Sequence, residues 1–467
     1  MRKKRIEMKR ILLIVLTVLL PALAMASPAS YKFTLQVDGC KDSMLVLCYY
    51  HAQYQRVFDT AYNNGRGKFV FQGSRELKPG LYFFSNEKGH TLDFVVYQEK
   101  PVFKFHTDDR DWKRNATVSG SRQNTLFFNF NRSTEQLYDA VRAARDEMDS
   151  AAFLAYRRQQ FLRVDTLRME FIHQHPEAML SKMMMATKDP AAPPDSLQGN
   201  DRYFYIMHHY FDNMPLNDDF LIRTPRTIFY DRVNDYVEKH MRGLTPELMI
   251  PLLDTLIDRA EPAPEVFNWL LLTLTERYLQ SNIMVYDEVY VHLVQRYFAT
   301  GKASFLSPST VDKQIEQATK WERLLVGREA PELILFDTTR RVWSLHHMPG
   351  RYTLLLFWSP TCGHCRTIIP DIYKVFDRVA DSLDMSAFAI LSEPEEHTIA
   401  KWKTFLAEHN MTNTRWVNLN GGEANIDWRD VYDVQTTPQI YLIDNKTHKF
   451  LAKKLNADLL EQISKHL

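Results

Sequence analysis

Apolar and polar positions alternate with a period of two through Tyr31-Lys-Phe-Thr-Leu-Gln-Val37 and Lys68-Phe-Val-Phe-Gln72, the pattern of half-buried strands. Turn chemistry at Asn63-Asn-Gly-Arg-Gly67 and Lys78-Pro-Gly80 separates such runs, so residues 27–120 are predicted to form a small β-sandwich-like domain. From about Ser121 to Val326 the period changes. Leu137, Val141, Ala144 and Met148, then Phe161, Val164, Leu167 and Phe171, recur at helical spacing, and glycine shrinks to Gly199, Gly243 and Gly301. Breaks at Asp189–Pro194, Thr224-Pro225, Gly243–Pro246 and Glu261–Pro264 divide residues 121–326 into an expected seven or eight helices of an all-helical domain. A third pattern begins near Gly327. Thr353–Trp358 is an unbroken apolar run between Pro349-Gly350 and Ser359-Pro360, as in a buried central strand. A helical period follows it at Ile369, Ile372, Val375, Phe376 and Val379.

The candidate chemistry lies where that strand meets that helix, in Cys362-Gly363-His364-Cys365. A cysteine at a helix N-terminus faces free N–H groups and the positive end of the macrodipole, which favour its thiolate. Cys365, one turn further in, is positioned to attack a mixed disulfide formed on Cys362, and a charged His364 would stabilise the thiolate further.

Strand, turn, Cys-x-x-Cys and helix together resemble the thioredoxin superfamily, and neighbouring residues extend the resemblance. Trp358 stands four residues before Cys362, Pro370 stands five after Cys365, and Thr437-Pro438 precedes the strand-like Gln439–Asp444 in the manner of that family's cis-proline loop. Entry through Gly327-Arg-Glu-Ala-Pro331 is similar to the TlpA/ResA-like branch of envelope thiol–disulfide proteins, in which an N-terminal β domain often comes first. The resemblance implies a thioredoxin-like α/β domain over 327–467 and a multidomain α+β chain. It implies catalytic Cys362 and Cys365, supported by Gly363, His364, Trp358, Thr437 and Pro438. Two departures stand out. Leu356 occupies the place of thioredoxin's buried Asp, and Ile368 the place where the TlpA/ResA-like branch often carries Glu, so an acceptor for the second thiol's proton is missing.

The remaining features narrow the picture. A net charge of +1 gives no basis for a nucleic-acid surface, and four cysteines exclude a disulfide scaffold. Residues 1–26 carry a basic start, an apolar core over Ile11–Leu20 that is too short to span a bilayer, and Ala24-Met-Ala26. They predict an export signal cleaved near Ala26, hence a periplasmic protein with no membrane contact beyond that signal. Cys40, at an expected turn, and Cys48, about four residues up the next strand, are too far apart for a disulfide and are expected to be free. No ligands for a metal are evident beside them. Met183–Met185 reads as core filler. His208 and His209, being adjacent on a helix, point about 100° apart and do not make a ligand pair.

The predicted function is thiol–disulfide oxidoreduction on protein thiols and disulfides. It needs no dissociable cofactor, because the Cys362–Cys365 dithiol carries the electrons, and no metal. The β and helical parts are expected to recruit a redox partner or to form a homodimer. Two other classes stay open: a redox-idle binding module, and a metallochaperone using Cys362, Cys365 and a histidine. His346 and His347 precede the central strand, at its far end from the cysteines.

Overall fold

The computed structural model describes residues 30–337 and 339–467; the expected export signal lies outside the described residues. Two compact units organise them. One comprises the chain up to Arg242 together with Arg259–Val266, the other Gly243–Asp258 and Phe267–Leu467.

The first unit opens with eight strands: β1 (Tyr31–Asp38), β2 (Met44–His51), β3 (Tyr54–Tyr62), β4 (Lys68–Gly73), β5 (Gly80–Ser85), β6 (Thr91–Val96), β7 (Val102–Asp108) and β8 (Thr117–Ser119). They form two four-stranded sheets, in the orders β4-β1-β7-β8 and β3-β2-β5-β6. β1 and β7 run parallel and the other pairs antiparallel. Alternation in β1, β4 and β7 points Phe33, Phe69, Phe71, Phe103 and Phe105 inward, where all are buried. Rings of one sheet meet rings of the other, Phe33 to Phe94 at 5.0 Å and Phe71 to Phe84 at 5.0 Å, so the core between the sheets is largely aromatic.

Helices follow: α1 (Arg122–Ala144), α2 (Ser150–Gln174), α3 (Met179–Ala186), α4 (Gly199–His209), α5 (Tyr230–Asp235), α6 (Pro246–Arg259), α7 (Pro264–Leu279), α8 (Asp287–Leu293) and α9 (Pro308–Arg323). Their ends fall at the breaks the sequence marks. Pro246 and Pro264 begin α6 and α7, as suits a residue whose missing N–H costs nothing in a first turn. Ser121 caps α1 by accepting the Asn124 amide at 3.0 Å, and Asp149 caps α2 by accepting those of Ala151 and Ala152. Nine α-helices are present among the described residues where seven or eight were expected, because short 3-10 and π turns subdivide the later part.

The second unit holds a seven-stranded sheet built from β9 (Ile334–Asp337), β10 (Val342–Ser344), β11 (Tyr352–Trp358), β12 (Met385–Leu391), β13 (Trp416–Asn420), β14 (Gln439–Asp444) and β15 (Lys449–Lys453). Its order is β10-β9-β13-β12-β11-β14-β15, which makes β11 an interior strand between β12 and β14. β12 lies parallel to β11 and β14 antiparallel. α10 (Gly363–Val379), α11 (Glu396–Glu408), α12 (Trp428–Val431) and α13 (Ala457–Ser464) complete the α/β part. The whole is a multidomain α+β chain: β-rich N-terminal part, helical centre, C-terminal sheet domain.

The junction expected at 326/327 falls inside the second unit. Polar contacts tie its helices to its sheet. Asp287 at the start of α8 takes Lys453 of β15 at 2.6 Å, and the two side chains are 1% and 5% exposed. Lys454 reaches the same carboxylate at 2.7 Å. Gln317 and Trp321 of α9 both donate to Asp433, and Lys320 pairs with Asp430 at 2.8 Å. A buried charge pair is costly to break from either side, so these helices and the sheet share one stability.

Candidate active site

The strand that delivers the site is buried along its whole length. It begins after Gly350, whose φ of +93° and close approach to the Asp384 carbonyl (2.4 Å from a Cβ placed there) leave room for glycine alone. At its end Trp358 is fully buried in the same apolar layer as Cys365 and Ile369, with its ring 5.2 Å from Phe405.

A tight turn, Ser359-Pro360-Thr361, leads into α10, and Cys362 is the N-cap residue of that helix. An N-cap side chain normally accepts a backbone N–H that would otherwise be orphaned. Here the acceptor is sulfur: Cys362 Sγ takes the Cys365 amide at 3.4 Å. The same thiol donates to the Thr437 carbonyl at 3.2 Å. Thr437-Pro438 is a cis peptide at the entry to β14, directly beside β11. Residues 75 positions apart in sequence therefore meet at one sulfur atom. Pro370 sits buried within α10. His364 is exposed, and a Cβ on Gly363 would meet nothing within 4 Å, so the first turn presents an open face around Cys362.

The two thiols are shifted in opposite directions. Partial burial alone pushes Cys362 up. Hydrogen bonding from the Cys365 backbone, with contributions from the Thr437 side chain and the His364 backbone, outweighs it and holds Cys362 below the ordinary thiol range. The His364 contribution comes from its backbone, whereas the sequence suggested its ring. Cys365 is 0% exposed, and burial pushes it up to about 12, with the neighbouring Cys362 adding to the effect. Both are free thiols.

One participant was not evident from the sequence. Glu393, just after β12, accepts from Ser359 Oγ at 2.7 Å and also from the Thr361 hydroxyl. Ser359 Oγ in turn accepts the Thr361 amide at 3.1 Å. Those hydroxyls hold the Glu393 carboxyl below the usual carboxylate range, with Arg429 and His397 adding smaller contributions. The backbone of Ser359 is also a hydrogen-bond partner of Cys365. Positions 356 and 368 carry no acid, but one from the loop after β12 thus reaches the turn before the dithiol. Nothing local marks it, because Glu393 lies 34 residues beyond Ser359.

Other candidates separate from this site. His346 contacts the Ala330 carbonyl at 2.6 Å, lies 3.8 Å from Glu332 and stacks on His448 at 4.1 Å. His209 bonds Asp212 and packs on Tyr205, while His208 is exposed. Met183 is buried as filler. Cys40 and Cys48 are buried and free. Asp42 and Asp109 do come within 4.8 Å of Cys40, which the sequence did not suggest. Their carboxylates are already taken by Lys88, Asn86 and Trp112, which accounts for the cluster without an ion.

A family model described as a domain of unknown function (DUF4369) matches residues 31–127, and a second domain of unknown function (DUF5106) matches residues 165–320. Thioredoxin-like protein YneN of Bacillus subtilis is 26% identical over 143 residues, covering 28% of this chain and 79% of that protein. The chain is a thioredoxin-superfamily protein with an N-terminal β domain. Among solved structures, a thioredoxin-like protein from Bacteroides caccae is 18% identical, covers 60% of this chain and 98% of its own, and has a TM-score of 0.49. The thioredoxin domain of a thiol-disulfide oxidoreductase from Bacteroides vulgatus is 25% identical over 30% of this chain and 96% of its own, with a TM-score of 0.26. These relatives support a thioredoxin-like function.

Proposed function

We propose that the protein is a periplasmic thiol–disulfide oxidoreductase whose Cys362–Cys365 dithiol exchanges electrons with protein disulfides. One observation carries the reading: of two cysteines three residues apart, Cys362 is a partly exposed helix N-cap whose sulfur accepts the Cys365 amide, which shifts it down, and Cys365 is buried, which shifts it up. That division of labour is what stepwise exchange requires.

In the reducing direction the Cys362 thiolate attacks one sulfur of a substrate disulfide. The substrate S–S bond breaks, a Cys362–substrate disulfide forms, and the leaving substrate thiolate takes up a proton. Cys365 then gives up its proton and attacks Cys362 Sγ. The mixed disulfide breaks, the Cys362–Cys365 disulfide forms, and the second substrate thiolate leaves to be protonated. Two electrons pass to the substrate, and the reverse sequence oxidises a substrate dithiol. The Thr437 carbonyl that accepts from Cys362 lies on the open face, so a substrate strand adding its backbone there would bring its sulfur to Cys362. Glu393 holds the Ser359–Thr361 turn and so acts as a positioning residue for both thiols. Export rests on the pattern of residues 1–26.

Trapping tests the reading directly. Cys365→Ala should accumulate mixed disulfides with envelope proteins through Cys362, and Cys362→Ser should accumulate none. Trapping by neither variant would leave the domain redox-idle, and equal trapping by both would take the role of nucleophile from Cys362.

A further inference from the structure

Helix α2 leaves a run of apolar residues exposed beside the face that it buries. Gln160 and Val164 are its buried positions. Outside that buried face Leu154, Phe161, Leu162 and Met169 are 54%, 45%, 59% and 48% exposed. At 100° per residue these four fall within one stripe along the helix, with the charged Arg158 and Asp165 inside it. Phe161 leans one edge on Tyr138 of α1, 6.2 Å away, and stays open on the other. Four large apolar side chains exposed along one stripe of a helix mark an interaction surface.

The order of residues along the stripe identifies what covers it. About a point between Phe161 and Leu162 the stripe is a palindrome: Leu154 mirrors Met169, Arg158 mirrors Asp165, and Phe161 mirrors Leu162. A two-fold axis through that point sets a second α2 antiparallel on the first, so every one of these pairings occurs twice. Apolar then meets apolar, and each arginine meets the partner's aspartate. A parallel pairing would instead set arginine on arginine and aspartate on aspartate, which is unfavourable. Asp165 is 66% exposed and its present partner, Arg168 at 3.3 Å, lies on its own helix, so it is free to add a second cation.

We infer that α2 is the seam of a homodimer, two copies packing antiparallel through Leu154, Phe161, Leu162 and Met169 with reciprocal Arg158–Asp165 ion pairs. The stripe spans about 23 Å of helix at 1.5 Å per residue, so the contact belongs with small, reversible interfaces rather than obligate ones.

Sedimentation equilibrium on the mature protein, under reducing conditions to exclude disulfide-linked dimers, tests this. The weight-average mass should rise with concentration from one chain toward two. Leu162→Glu should weaken dimerisation by at least about tenfold while leaving circular dichroism and thermal midpoint unchanged. Arg158→Asp alone and Asp165→Arg alone should each weaken it by about tenfold, and the double exchange should restore it, since it rebuilds opposite-charge pairs. A single-chain mass at every concentration, or a dimer indifferent to Leu162→Glu, would overturn the proposal. So would anionic vesicles that bind a monomeric protein through Leu162, which would assign the stripe to a lipid surface instead.

Discussion

Four cysteines in one chain divide into two pairs that differ in almost everything except residue type. In the β domain, Cys48 sits on β2, where burial pushes it up to about 11, and Cys40 is raised by burial and by Asp42 and Asp109. In the thioredoxin domain, Cys365 is pushed up still further by burial, yet Cys362 is lowered. The difference is backbone geometry. Cys48 lies in a strand whose amides are spent on the ladders to β3 and β5, so no N–H is left for its sulfur. Cys362 stands at a helix start, where amides have no carbonyl of their own to bond. Cys40 also receives a backbone hydrogen bond, from Asp42, but burial and the nearby carboxylates outweigh it, whereas at Cys362 the hydrogen bonds of the helix start outweigh partial burial.

The sharpest way to break this contrast is to remove one sulfur at a time. Cys362→Ser should drop disulfide exchange to the uncatalysed background, while Cys40→Ser and Cys48→Ser should leave it unchanged in an insulin-reduction or fluorescent-disulfide assay. Stability should separate from reactivity next. Asp287→Ala leaves the buried Lys453 without its partner and should cost about 3–5 kcal/mol in denaturant unfolding. The order of thiol reactivities should survive it, because the site's own hydrogen bonds are untouched. A smaller effect is expected of Glu393→Gln, which keeps an acceptor for Ser359 and Thr361 but loses its charge. The Glu393 carboxyl is depressed in the folded state, so its stabilisation is present above the 4.5 of an ordinary glutamate and fades as pH falls through its lower folded value. Wild type and Glu393→Gln should thus differ in thermal midpoint at pH 7 and converge in acid. Least affected should be His364→Ala. Its ring is exposed and the contribution to Cys362 comes from the backbone, so the alkylation profile of Cys362 should hardly move. A large shift would return the thiolate's stabilisation to the imidazole.

What was legible in the sequence was whatever repeats or sits close together. The two-residue period of β1 and β4, the glycine-poor helices with proline starts at Pro246 and Pro264, and the run Thr353–Cys365 all specify their local structure. Thr437-Pro438 was legible only because the family pattern fixes where to look. Long-range partners were not. Glu393 reaches the turn from the loop after β12, Asp109 reaches Cys40 from the end of β7, and Asp287 finds Lys453 from a helix expected to belong elsewhere. No periodicity records which distant side chain fills a polar gap, so a boundary read from composition near Gly327 missed the ties running across it.

The claim that most depends on the contrast is the order of thiol reactivity in the reduced protein. Mass-spectrometric mapping of iodoacetamide labelling from pH 5 to 10 measures it at all four cysteines together. Cys362 should label first, with a rate that levels off below the pH of an ordinary thiol, and Cys40, Cys48 and Cys365 should stay largely unlabelled until the protein unfolds. If Cys362 labels no faster than Cys365, or shows the pH profile of an unperturbed thiol, the helix start does not activate it and the oxidoreductase account loses its nucleophile.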